Sequence, residues 1–103
     1  MIVRVWKART TPENAPAYRG HLETHVFPIL KSVSGFISAD LMERVDDEEV
    51  ELTVTSRWQS LKAVREFAGD AYEQAVITPA AKAILSSFDE NVAHYETTAE
   101  CKA

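Results

Sequence analysis

The chain has 103 residues, 46% hydrophobic and 26% charged, which is the composition of one ordinary globular domain burying roughly two-thirds of its unfolded surface. A formal charge of −5 with scattered Lys and Arg argues against nucleic acid as a partner, and no apolar run is long enough to span a bilayer. The single cysteine, Cys101, closes no intrachain disulfide and suits a reducing, cytoplasmic setting.

The chain opens on a strand, Ile2 to Arg9. Val3 and Val5 alternate with Arg4, and Trp6 falls on the side of Ile2 and Arg4, so the strand is expected to be covered on both faces. Thr11 followed by Pro12 and Glu13 is a helix start. The helix runs to about Val26 with Ala15, Tyr18, Leu22, Val26 and Ile29 as its stripe, and Pro28 ends or kinks it. Gly35 breaks the chain before a second strand, Phe36 to Val45. Asp46-Asp47-Glu48-Glu49 then reads as the solvated turn of an antiparallel hairpin. A calcium loop would need alternating oxygen ligands and a glycine at the bend.

From Val50 to Gly69 the apolar period changes from 2 to 3.6, with Trp58 at the change. Ser60 is a natural N-cap and Gly69 a natural stop for the helix between them. An irregular passage, Asp70 to Ile77, leads to a second cap-plus-proline start at Thr78-Pro79 and a short helix to about Ser86. The last strand is Val92 to Thr98, within a single domain of residues 1–98 followed by a polar tail, 99–103.

This order predicts an α+β, ferredoxin-like sandwich: a four-stranded antiparallel sheet with helices on one face. The other face keeps apolar and aromatic groups in the first, second and last strands. The pattern therefore predicts a homodimer, sheet face against sheet face.

The run Arg57-Trp58-Gln59-Ser60-Leu61-Lys62-Ala63 with Phe67-Ala68-Gly69 resembles the W-x-S-L-x-A…F-A-G signature of antibiotic biosynthesis monooxygenase-like proteins. The Pro28…Gly35-Phe36 spacing and the closing Val92-Ala93-His94-Tyr95-Glu96 are similar to the same group. The resemblance implies a dimeric α/β-barrel with a small-molecule pocket between helices and sheet in each subunit. It also implies oxidation of an aromatic or enolisable substrate that supplies its own reducing power. No G-x-G-x-x-G, P-loop or HExxH motif is present, so no cofactor is expected. The haem-degrading relatives carry a proximal histidine on the second helix, and Leu61 to Gly69 contains none.

Several residues are candidates for the site. His94, on the last strand, has a near-neutral pKa suited to proton transfer if it lines the pocket, and is otherwise hydrogen-bonded across the dimer contact. Trp58 is read as a core plug or as a substrate-binding wall. Tyr72 is a rim contact or a surface residue. Arg57 is read as an ion-pair partner of Asp40 or Glu43, with anion recognition as the second reading. His21 and His25, one helical turn apart, are half-exposed neighbours, with His25 a candidate for ligand contact. A three-nitrogen metal site with His94 has no further support, and no metal is expected. Two function classes remain open: a cofactor-independent monooxygenase or related isomerase, and a non-catalytic dimeric barrel that binds a small ligand or regulates.

Overall fold

A computed structural model describes all residues from Met1 to Ala103. Strand β1 (Ile2–Thr10) is followed by α1 (Ala15–His21), a π-helical turn (Leu22–Val26) and α2 (Phe27–Lys31). Strands β2 (Phe36–Asp46) and β3 (Glu49–Trp58) form the hairpin, and α3 (Leu61–Ala68), α4 (Pro79–Ile84), β4 (Ser87–Phe88) and β5 (Ala93–Glu96) complete the chain. The sheet is antiparallel in the order β2-β3-β1, with β4 and β5 sharing the far side of β1. Strand β5 lies against Ile2–Val5 and β4 against Ala8 and Arg9. This is the expected ferredoxin-like α+β arrangement, except that its last edge is built in two pieces.

The capping signals act as their chemistry requires. Thr11 Oγ1 accepts from the Asn14 amide at 3.2 Å, Ser60 Oγ from Ala63 at 3.2 Å, and Thr78 Oγ1 from Ala81 at 3.2 Å. Such a cap is worth about 1 kcal/mol. The turn between β2 and β3 is Asp47-Glu48, with Asp47 at φ 57, a left-handed conformation that a short polar side chain tolerates.

The first helix departs from its expected stripe at Pro28. Proline has no amide hydrogen, so the bond to the Thr24 carbonyl cannot form, and the Phe27 amide instead reaches back to Leu22. The extra residue in that turn rotates α2 relative to α1. Leu30, not Ile29, turns inward, and Ile29 is left 56% exposed.

Partners across the pairings share a face. Ile2, Arg4, Trp6 and Ala8 on β1 therefore lie on the side of Val50, Leu52, Val54, Ser56 and Trp58 on β3, beneath the helices. Two cores fill this layer. One joins Ala8, Val50 and Leu52 to Tyr18 and Leu22, and the other joins Trp58 to Leu30, Ala63 and Val64. Val26 and Phe27 touch both. The opposite sheet face carries Val3 and Val5 opposite Tyr95 and Ala93, together with Met42 and a ladder of ion pairs on β2 and β3.

Candidate active site in the helix–sheet cleft

A cleft of about 160 Å³ opens beside the first core, floored by Arg4, Trp6, Val54 and Ser56 of the sheet. Tyr18, His21, Leu22 and Val26 form its helical wall, and residues 75–78 form the other side. Tyr18 and His21 come from α1, and Leu22 and Val26 from the π-helical turn that follows it. The opposite wall is pinned by backbone bonds, Ala75 N to Glu90 O at 2.8 Å and Val92 N to Glu73 O at 2.7 Å. The lining is mostly apolar. An apolar cavity of about 150 Å³ holds one benzene, so the closed part of this cleft takes one aromatic ring.

Arg4 is the charged residue in this lining, and none of the molecule's ion pairs includes it. Its Nη1 donates to the Tyr72 carbonyl at 2.7 Å and to His94 Nε2 at 3.0 Å. The Phe67 ring lies 6.0 Å from the guanidinium carbon. Burial lowers its pKa from the ordinary arginine value, and a guanidinium keeps its proton in proteins all the same. A guanidinium has five N–H donors, so the Nε and Nη2 hydrogens remain unspent. An apolar cleft with a desolvated, unpaired cation favours an anionic oxygen in its ligand.

Two hydroxyls add to this. Tyr18 makes no hydrogen bond of its own, and no buried side-chain polar atom in the molecule lacks a partner, so its oxygen borders the open cleft. Burial pushes the phenol up to about 12, which keeps it a donor at neutral pH. Ser56 Oγ accepts from Trp58 Nε1 at 2.9 Å and retains its own hydroxyl hydrogen.

The residues singled out in the sequence are distributed unevenly around this cleft. His94 and Tyr72 come together at Arg4 but are not part of the cleft lining, their rings edge-to-face at 5.2 Å. Because the guanidinium has only donors, His94 Nε2 must be the acceptor, and the ring is neutral with its proton on Nδ1. Burial, then Arg4, lower its pKa below the ordinary 6.5, against an opposing pull from Glu73. The lone pair expected to carry a proton is thus already engaged. Trp58 is fully buried between Phe36 and Phe67 and lines no part of the cleft. Arg57 lies on the opposite sheet face, paired to Asp40 at 3.1 Å. His25 is exposed, its ring 5.5 Å from that of His21, and only His21 reaches the cleft. No three His, Cys, Asp or Glu side chains converge as a metal site.

Arg4, Tyr18 and Ser56 were not among the sequence candidates. One signal for Arg4 was available: it occupies an inward register between Ile2 and Trp6, where an unpaired charge demands a reason.

A family model for antibiotic biosynthesis monooxygenase matches residues 1–84. The chain belongs to this family. A search of curated protein sequences finds no match. Among solved structures, the chain is similar to Rv0793 from Mycobacterium tuberculosis, at 20% identity over 98% of both chains with a TM-score of 0.66. It is similar to SnoaB, a cofactor-independent oxygenase from Streptomyces nogalater, at 14% identity over 96% of this chain and 95% of that one, TM-score 0.60. It is also similar to the haem-degrader MhuD from Mycobacterium tuberculosis with two haems bound, at 18% identity over 99% and 100%, TM-score 0.64. At these identities the likeness establishes the fold. Helix α3 offers no axial histidine to a haem: it carries none, and its Ala63 and Val64 are buried in the core. No helix is long and apolar enough to cross a membrane.

Proposed function

We propose that the chain is a small-molecule monooxygenase of the cofactor-independent kind, acting on an aromatic or enolisable compound that places one ring in the cleft. The observation that carries this reading is Arg4, an unpaired cation in an apolar cleft of one-ring size. Loss of a proton from the substrate leaves a phenolate or enolate, and Arg4 steadies that charge through its free N–H edge. His21, which lines the cleft, is the group placed to take the proton. The Tyr18 hydroxyl donates to the oxygen-derived anion. The reaction balances when a CH2 carbon and O2 give C=O and water, all electrons coming from the substrate. Trp58, Tyr72, Arg57 and His25 have no substrate contact in this reading. Tyr72 contributes its backbone carbonyl.

The same reading includes a homodimer through the open sheet face, where Val3, Val5, Ala93 and Tyr95 form an apolar strip. It also includes a cytoplasmic setting in which the exposed Cys101 stays reduced.

Oxygen uptake with a panel of enolisable ring compounds that carry an activated CH2, without added flavin or metal, tests the proposal. Uptake that disappears in Arg4→Leu supports it. Absence of uptake across the panel, with ligand binding intact, selects the second reading: a non-catalytic dimeric small-ligand-binding protein. That reading is favoured by one observation, the His94 lone pair already given to Arg4.

A further inference from the structure

We propose that Arg4 and His94 form a preset anion subsite that selects a one-ring aromatic oxyanion over its neutral isostere, with His94 as the positioning residue. The inference rests on the proposed function only in placing the ligand in the cleft, and it requires no turnover.

A lone arginine at a cleft is ordinarily a mobile side chain that loses considerable rotamer entropy when a ligand fixes it. Arg4 is different. One nitrogen is anchored twice, by the Tyr72 carbonyl at 2.7 Å and His94 Nε2 at 3.0 Å, and Phe67 packs beside the guanidinium. Because the fork is planar, fixing Nη1 fixes the direction of the remaining N–H groups. The cost of orienting the receptor is met before the ligand arrives.

Both anchors are neutral acceptors. A carboxylate in either place would neutralise Arg4 and remove its preference for an anionic ligand. Tyr72 and His94 hold the cation without discharging it. The charged groups around the imidazole are few and come from three elements. Arg4 faces it from β1, Glu73 from residues 69–78, and Arg65 lies over the Tyr72 ring from α3 at 5.3 Å. Glu73 is exposed and forms no ion pair with Arg4. The anchor itself is held by the sheet, since His94 is the direct partner of Arg4 in the β1–β5 pairing.

Calorimetric titration with salicylate and its uncharged isostere salicylamide tests this in the full-length protein. The wild type is expected to prefer salicylate by about tenfold or more, the value of one charge-assisted hydrogen bond. Arg4→Leu and Arg4→Gln should abolish the preference. His94→Leu should weaken salicylate by about tenfold and leave salicylamide unchanged, since only the charged contact depends on the anchor. His94→Gln, whose amide oxygen again accepts from Nη1, should restore the preference, which a merely structural role for the imidazole would not do. Equal binding of the two probes by the wild type, binding of neither at millimolar concentration, or an undiminished preference in His94→Leu overturns the proposal. Failure of oxygen uptake with the preference intact would remove the monooxygenase and leave this subsite standing.

Discussion

Arg4 and His94 are direct partners across the β1–β5 pairing, with Nη1 of the guanidinium 3.0 Å from Nε2 of the imidazole. Two side chains usually counted as bases meet here as donor and acceptor. The contact exists only while the imidazole is neutral, and its first consequence is a dependence of stability on pH. Burial and Arg4 lower the folded-state pKa of His94 below the ordinary 6.5, so between those values the unfolded chain binds the proton better. Stability must therefore rise with pH through that window and fall as the pH drops below 6.5. Urea denaturation across this range should show a steeper decline for the wild type than for His94→Gln. Parallel curves would contradict the contact.

Tyr18 should titrate late. Burial pushes its phenol up to about 12 from 10.0, so the stability it contributes is intact below pH 10 and lost as the pH rises toward 12. Ultraviolet titration of the native protein should show one phenolate forming near pH 12, and Tyr18→Phe should remove that step. Its persistence in the variant would assign the late phenol elsewhere.

Gly35 should not tolerate alanine. Its φ is +90, and an added Cβ would lie 2.7 Å from the Ala63 Cβ. The expected loss is about 1–3 kcal/mol by denaturant unfolding. Adding Ala63→Gly should recover only part of it, because the backbone strain remains.

Trp58→Ala should cost about 3–5 kcal/mol, as for an aromatic side chain removed from a packed core. It should leave the salicylate preference intact in the folded fraction, because Trp58 lines no part of the cleft. A changed preference with unchanged stability would return Trp58 to the binding site.

The sheet face makes its own prediction. Light scattering should give twice the monomer mass of 11.5 kDa, and Tyr95→Glu, placed in the apolar strip on β5, should lower it toward the monomer. A monomer in the wild type would contradict the sheet-to-sheet contact.

The fold was legible where local chemistry and periodicity agree. Ser60, Thr78 and Gly69 mark helix ends by capping alone, and the alternation of Val50, Leu52 and Val54 fixes the inward face of β3. It was illegible where one residue changes a period. Pro28 marked a kink, yet the resulting π-helical turn, which moves Ile29 outward and Leu30 inward, depends on where the displaced amide finds an acceptor. Strand β4 has two residues, too few to show any period. Of the site, His94 and Tyr72 were marked. Their role was hidden because it runs through Arg4, 90 residues from His94 and 68 from Tyr72 along the chain. Arg57 forms its ion pair with Asp40, across the hairpin from β2.

The most direct test is a crystal structure of the protein with salicylate bound. It should show the ring between Leu22 and Val54, the carboxylate within hydrogen-bond distance of Arg4 Nε or Nη2, and the His94 contact retained. A salicylate bound outside the cleft, or one in it whose carboxylate points away from Arg4, would contradict the account.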